Sequence, residues 1–518
     1  MKQLKLNEQA HRAAIGRWSV LLLVAAGMQI LILPPLQAAT PAKEITDSRI
    51  TSAVEDGLIL EKGVFPNNVD VSSSQGIVTL SGPAENLLAK DRMVKIAESI
   101  RGVRGVIDRI TVTPVSRPDA DIRKDILTAL LQDPATESYQ VAVSVQGAVA
   151  TLTGSVHSNG EKQLAGRIAK GVKGAKEVHN DVTINYLTKR SDPEIAADVK
   201  ARLQWDIWIN GDMVNATVKD GRVTLTGTIG SAISKSRAID DALVNGVMFV
   251  ESSGLTIEPW ASEGVHRKSE YPVRSDSEIK LAIQAELPLD PRVSAFSPSV
   301  TVEDGMVTLS GTVGNLKAKT SAEQDAKNIA GVWRVDDLLK VRPKDQPADA
   351  EMQKQLKAAL SWDPFLDSST IEAGVTNTVA SLSGTVDSSF QKAEAQDVAS
   401  RIKGVTMVRN HLKTEQDSSI YYYDWPYYSY DWPYYNQSPY DASEIVSELY
   451  PSDEHIKKRI EDAFFWSPFV RSDDVKVNVN GGVATLTGTV GTWIGWGEVD
   501  KDARKSGATQ VLNQVKVK

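Results

Sequence analysis

Seven aromatic side chains near the ends of predicted helices are the residues best suited to binding chemistry. Tryptophan and phenylalanine bring large apolar surfaces, which favour membrane interfaces and packed protein surfaces alike. One hypothesis is therefore that these side chains insert at the boundary of lipid headgroups. The alternative is that they cover the core or fill interfaces between repeated units of the chain. The set comprises Trp205, Trp208, Trp362, Phe365, Phe465, Trp466 and Phe469.

A second aromatic cluster lies in residues 420–440, where the block Tyr-Asp-Trp-Pro-Tyr-Tyr occurs twice. This stretch holds nine of the 13 tyrosines, a composition that suits membrane interfaces, sugar faces and protein surfaces. A low-complexity linker is the alternative interpretation. The candidate contact residues are Tyr423, Trp425, Tyr430 and Trp432.

Catalytic, metal and nucleic-acid chemistry are not indicated. The chain has no cysteine and six scattered histidines, which argues against thiolate metal sites and paired imidazole ligands. No H-E-x-x-H, G-x-S-x-G or phosphate-loop motif is present. The net charge of −8 disfavours sequence-independent binding to phosphate backbones. We therefore predict a non-enzymatic protein with no catalytic residue, no cofactor, no metal and no nucleic-acid partner.

A short pattern, V-T-L-[ST]-G or V-A-[TS]-L-[ST]-G, recurs six times and shows that the chain is a repeat protein. The closing glycines are separated by 72, 73, 84, 73 and 104 residues. They are Gly82, Gly154, Gly227, Gly311, Gly384 and Gly488.

The same elements surround each copy of the pattern. Upstream, apolar residues at every fourth position predict a helix, as in Ile122, Ile126 and Leu130. An alternating strand and a tight turn such as Asp220-Gly221 precede the pattern, which itself predicts the second strand of a hairpin. An alanine-rich helix, a Gly-Val pair and a last strand follow. The predicted fold is α+β: a tandem array of six small αββαβ modules, each a short mixed sheet with two helices packed on it.

The predicted modules fill most of the chain after residue 44. We number them 1 to 6; residues 259–274 and the Tyr/Trp/Pro-rich segment 415–451 are predicted linkers. Their positions predict a 3 + 2 + 1 grouping with hinges near residues 265 and 430. The predicted boundaries are 45–115, 118–187, 191–258, 275–343, 347–414 and 452–518.

Residues 1–39 read as a secretory signal peptide. Basic residues precede an apolar run from Trp18 to Leu33, and small residues at Ala38 and Ala39 follow. The alternative is an uncleaved inner-membrane anchor formed by residues 18–36, although the apolar run is short for a membrane span. Either interpretation predicts that the modules are exported to the periplasm.

The module resembles the BON domain (bacterial OsmY and nodulation) family. The resemblance rests on the aliphatic first helix, the D/N-G-x-V-T-L-x-G hairpin and the final Gly-Val-x-x-V-x-N strand. It implies a non-enzymatic periplasmic protein that binds membrane phospholipid or other envelope components, in osmotic or envelope stress. Six modules would bind multivalently. Two alternatives stay open: a structural scaffold for protein partners, and glycan binding through the Tyr/Trp-rich segment.

Overall fold

The computed structural model describes residues 45–60, 69–261, 274–414, 452–467 and 469–517. Three predicted segments lie outside this part of the chain. They are the predicted signal or anchor, residues 262–273 around the predicted hinge near 265, and the Tyr/Trp-rich segment 415–451.

The first three modules share one order of elements, helix–strand–strand–helix–strand. Module 1 comprises α1 (Asp47–Leu60), β1 (Asp70–Ser74), β2 (Ile77–Ala84), α2 (Leu87–Glu98) and β3 (Gly105–Val112). Module 2 comprises α3 (Asp119–Gln132), β4 (Gln140–Gln146), β5 (Val149–Val156), α4 (Asn159–Lys170), β6 (Glu177–Asn180) and β7 (Thr183–Ile184). Module 3 comprises α5 (Asp192–Trp205), β8 (Val214–Lys219), β9 (Arg222–Ile229), α6 (Ala232–Ala242) and β10 (Phe249–Ile257).

The last three modules repeat this order, with the final strand interrupted in modules 4 and 5 as in module 2. Module 4 comprises α7 (Asp276–Glu286), β11 (Ser299–Glu303), β12 (Met306–Ser310), β13 (Thr312–Val313), α8 (Leu316–Lys327), β14 (Arg334–Asp337) and β15 (Lys340–Val341). Module 5 comprises α9 (Asp349–Trp362), β16 (Ile371–Thr376), β17 (Val379–Val386), α10 (Ser389–Ser400), β18 (Met407–Asn410) and β19 (Lys413–Thr414). Module 6 comprises α11 (Asp453–Trp466), β20 (Val475–Asn480), β21 (Val483–Val490), α12 (Trp493–Lys505) and β22 (Gln510–Val517). The predicted α+β fold is confirmed.

Each sheet places the signature strand in the centre. In module 1, β2 pairs antiparallel with β1 across the hairpin and parallel with β3, which returns after α2. Val78 and Leu80 point to the helices and are fully buried. They meet the stripe of the first helix, Ile50, Val54 and Leu58, so each module has a two-layer core.

The signature glycine is required by backbone geometry. In all six modules its φ lies between 117° and 133°, a region that L side chains rarely adopt. At Gly154 an added Cβ would lie 1.9 Å from the carbonyl oxygen of Gln140 on the neighbouring strand. The last residue of the sequence pattern is thus explained by the close approach of two strands.

In every module, an aspartate at the start of the first helix stabilises the hairpin turn through hydrogen bonds. In module 4, the Asp276 carboxylate accepts hydrogen bonds from the backbone N–H groups of Asp304 and Gly305, both at 2.8 Å. In module 1 the corresponding bonds, first that from Gly76, lower the pKa of Asp47. The equivalent residues elsewhere are Asp119, Asp192, Asp349 and Asp453.

The modules contact one another across the predicted hinges. The described residues from Ile45 onward belong to one compact unit, and the buried cores of modules 1 and 3 are continuous. Backbone hydrogen bonds join module 1 to module 6 and module 2 to module 5. These contacts run between the predicted groups of modules. The 3 + 2 + 1 grouping stays a prediction, because both predicted hinges lie outside the described residues.

Candidate functional site: module interfaces and exposed turn ends

The seven helix-end aromatic side chains lie at or beside interfaces between modules, and none of them is exposed. The indole of Trp205 packs against the core of module 4, and that of Trp362 against the core of module 2. Trp466 packs against the joint core of modules 1 and 3. Their placement agrees with the alternative of an inter-module interface, and direct contact with lipid stays a prediction.

Each of these tryptophans also offers its backbone carbonyl to another module. The carbonyl of Trp205 accepts the N–H of Ala330 at 2.8 Å, and that of Trp466 accepts the N–H of Arg101 at 3.0 Å. The carbonyl of Trp362 accepts the N–H of Lys173 at 2.7 Å. The three donors directly precede Gly102, Gly174 and Gly331, whose φ angles are 92°, 98° and 92°. We call Arg101, Lys173 and Ala330 the pre-glycine residues.

The remaining aromatic residues of the set extend these contacts. Trp208 of module 3 meets Phe469 of module 6 edge to face, with ring centroids 3.8 Å apart. The ring centroids of Phe465 and Trp466 lie 5.0 Å apart, and the Phe465 ring lies beneath the guanidinium group of Arg49 in module 1. Phe365 is buried against Phe390 of its own module. Tyr423, Trp425, Tyr430 and Trp432 lie outside the described residues.

Charged pairs with low exposure also lie at interfaces between modules. Arg292 of module 4 pairs with Asp133 of module 2 at 3.0 Å, and the two side chains are 10% and 5% exposed. Arg202 of module 3 pairs with Glu286 of module 4 at 2.8 Å. Such pairs stabilise an interface when both partners are present and cost free energy when one is removed.

Three carboxyl groups near these interfaces have shifted pKa values. Burial and the negative charge of Asp206 raise the pKa of Asp241. Burial, with the neighbouring Glu394, raises the pKa of Asp363 to about 8. Burial alone would raise the pKa of Asp397, but the charges of Arg401 and Lys317 lower it to about 2.

Four exposed apolar side chains lie elsewhere, beside the hairpin turns. Met248 and Phe249 in module 3 are 78% and 45% exposed, Trp333 in module 4 is 42% exposed and Met407 in module 5 is 50% exposed. The Trp333 indole N–H donates to the carbonyl of Asp304 at 2.5 Å, which fixes the ring against the turn. We call Met248, Phe249, Trp333 and Met407 the turn-end residues.

The turn-end residues were not among the predicted contact residues, although their positions carry a sequence signal. All four follow the Gly-Val pair by one or two positions, where the last strand begins. In module 3 the guanidinium group of Arg222 lies 4.6 Å from the Phe249 ring, so this end combines an aromatic face with a cation.

The described residues contain no group of three or more His, Cys, Asp or Glu side chains placed to hold a metal ion. Within the same part of the chain, no helix has the length and hydropathy needed to cross a membrane. A small cleft between α5 and β8 is lined by Ala197, Lys200 and Asn215, a set without a nucleophile and base in combination.

Comparison with solved structures found CdsD, a structural protein of the type III secretion system of Chlamydia trachomatis. It is 14% identical, and the match covers 43% of this chain and 99% of that chain with a TM-score of 0.12. A second structure, the C-terminal domain of CdsD, is also 14% identical, covering 41% of this chain and all of that one, with the same TM-score. At that score the likeness supports no inference about this chain.

Comparison with curated proteins and family models gave stronger matches. Osmotically-inducible protein Y of Escherichia coli (strain K12) is 30% identical over 185 residues, 34% of this chain and 92% of that protein. The BON domain model matches residues 46–114, 118–186, 191–259, 275–343, 348–416 and 452–518, which make up most of the chain. Each match contains one complete αββαβ unit of the structure. The chain is a member of the BON domain family with six tandem copies of the domain.

Proposed function

We propose that this protein is a non-catalytic envelope protein of the osmotic or envelope stress response, exported to the periplasm, whose six modules together contact phospholipid surfaces. The observation that carries the proposal is the position of the turn-end residues. Exposed apolar side chains recur at one site in modules 3, 4 and 5, whereas the helix-end aromatic side chains are used in interfaces. Family membership and the osmotically inducible relative support the cellular role.

The turn-end residues suit the boundary between lipid headgroups and acyl chains. Tryptophan and phenylalanine favour that layer, and a nearby arginine can meet a phosphate group while its stem stays apolar. The chain carries a net charge of −8, so long-range attraction to anionic lipid is not the driving force. We therefore expect apolar insertion at several weak sites on one body, which raises the effective concentration of each site.

Vesicle co-sedimentation of the purified chain tests the proposal. We expect binding to vesicles of phosphatidylethanolamine with phosphatidylglycerol that persists in high salt. The triple variant Met248→Ser, Phe249→Ser, Trp333→Ser should lose most of this binding. The matched control, Leu131→Ser with Leu281→Ser, changes exposed leucines on first helices and should bind like the wild type.

Other outcomes separate the alternatives. Loss of binding in Trp362→Gln and Trp466→Gln, with the turn-end variant unaffected, would return the lipid contact to the helix-end aromatic set. Binding abolished by salt would contradict apolar insertion. No binding to these vesicles at low or high salt would exclude the membrane role for the purified chain.

A structural scaffold is the second candidate function, favoured by the network of inter-module contacts. In that case the turn-end residues would bind protein partners and touch no lipid. The glycan alternative rests on residues 420–440, and its test is deletion of that segment. Loss of retention on cell-wall polysaccharide with intact vesicle binding would support glycan binding, and no change in either would leave the segment a linker.

A further inference from the structure

Three interfaces between modules repeat one geometry. Trp205, Trp362 and Trp466 occupy the same position at the end of the first helix in modules 3, 5 and 6. Each carbonyl accepts the N–H of a pre-glycine residue, in modules 4, 2 and 1 respectively. The modules that supply the pre-glycine residue carry no tryptophan at the corresponding position, which is Leu60, Gln132 or Leu289. The pairs are therefore 3 with 4, 2 with 5, and 1 with 6.

Within a pair, equivalent residues face each other. Arg202 lies three residues before Trp205, Glu286 lies three residues before Leu289, and the two side chains form an ion pair at 2.8 Å. In the pair of modules 2 and 5, the ammonium group of Lys173 donates to the carbonyl of Leu366 in module 5 at 3.1 Å, and that of its counterpart Lys403 donates to Glu137 of module 2 at 2.8 Å. Leu366 and Glu137 lie four and five residues after the last residue of the first helix in their modules. Contacts between equivalent positions are the mark of an isologous, two-fold interface.

The indole adds the apolar half of each contact. Trp205 and Trp466 also lie under a cation of the partner region, Arg274 at 4.5 Å and Arg49 at 5.1 Å from the ring centroids. A tryptophan on one side, half-buried in the partner's core, resembles the aromatic anchors that dominate protein interfaces. Two tryptophans at the same two-fold position would compete for this space, which accounts for a tryptophan on one side of each pair.

We infer that the end of the first helix is a surface for pairing with a second BON module, and that a tryptophan there selects a partner module that lacks one. Every pair joins a module that ends before residue 262 to a module that begins after residue 273. The two halves of the chain are thus held together by all three pairs and not by the segment between them alone.

A cleavable version of the full chain tests the inference. A protease site is inserted within residues 262–273, the chain is folded intact and then cleaved. We expect the two halves to co-elute on size exclusion at low micromolar concentration. In the variant Trp205→Gln, Trp362→Gln, Trp466→Gln the cleaved halves should separate and keep their circular dichroism. Glutamine is chosen because Gln132 occupies this position naturally, and Trp260→Gln with Trp333→Gln, both exposed, is the matched control.

Hydrogen exchange in the uncleaved single variants gives a second, local measurement. In Trp362→Gln the backbone carbonyl is kept but the packing of the indole against module 2 is lost, so the interface should open more often. The amide of Lys173 should then exchange about tenfold faster, while the amide of Ala330 stays protected. Halves that separate in the cleaved wild type, or that stay together in the triple variant, would overturn the inference. So would equal acceleration at Lys173 and Ala330 in the single variant.

Discussion

The buried ion pair between Arg292 and Asp133 allows a quantitative prediction for the replacement Arg292→Ala. The Asp133 carboxylate is 5% exposed and also accepts the N–H of Ala135 at 2.9 Å. Without the guanidinium group this carboxylate loses its ion-pair partner in a desolvated site. Breaking a buried pair of this kind costs about 3–5 kcal/mol when the remaining charge stays ionised.

We therefore expect Arg292→Ala to lower the free energy of unfolding by about 3–5 kcal/mol, because the Asp133 carboxylate loses its partner in a buried site. The double variant Arg292→Ala, Asp133→Asn should recover most of this loss, because no unpaired charge remains.

Urea unfolding followed by circular dichroism measures these differences. The control is Arg334→Ala, since Arg334 is 53% exposed in its pair with Asp336 and its removal should cost less than about 1 kcal/mol. A loss in Arg292→Ala no larger than that in Arg334→Ala would refute the reasoning. So would a double variant no more stable than Arg292→Ala.

Three further predictions concern single modules. Gly154→Ala places a Cβ 1.9 Å from the Gln140 carbonyl and should cost about 3 kcal/mol in urea unfolding, whereas Gly374→Ala, whose Cβ meets nothing within 4 Å, should be nearly neutral. Asp276→Ala removes two turn hydrogen bonds and should cost about 1–2 kcal/mol with faster amide exchange at Asp304 and Gly305, unlike the exposed control Glu303→Ala. The pKa of Asp363 is raised to about 8, so its contribution to stability is fully present below the unfolded pKa and is lost as pH rises through 8. Asp363→Asn should therefore flatten the fall in unfolding free energy between pH 5 and pH 8, and the exposed control Asp345→Asn should leave that fall unchanged.

The fold of one module could be predicted from the sequence because the helix spacing and the turn residues indicate the same structure. The stripe Ile122, Ile126 and Leu130 is buried as its spacing predicts, and the turn residues Asp220 and Gly221 adopt the positive φ angles that a tight hairpin needs. The role of the signature glycine and of Asp276 depends on contacts inside the module, between segments fewer than 30 residues apart.

The arrangement of the modules could not be read in the same way. Whether Trp362 meets lipid or protein depends on Lys173, which lies in another module, and no local pattern encodes that pairing. The composition of residues 259–274 and 415–451 predicts linkers and therefore separate groups of modules. Composition gives no information about contacts between surfaces that are distant in sequence. The turn-end residues could not be predicted for a related reason. Their exposure depends on which surfaces of a module contact other modules and which surfaces face solvent.

The pairing of modules 1 and 6 has a consequence for how the chain folds during synthesis. Its hydrogen bond joins Arg101 to Trp466, so module 1 cannot pair until nearly all of the chain has been synthesised. At a synthesis rate of about 5–20 residues per second, this delay lasts on the order of 20–70 s. The pair of modules 3 and 4 closes the shortest loop, and its formation shortens the loop left for modules 2 and 5, then for modules 1 and 6. Assembly should therefore proceed outward from the middle of the chain, and the surface of α1 that meets Trp466 is the last to be covered.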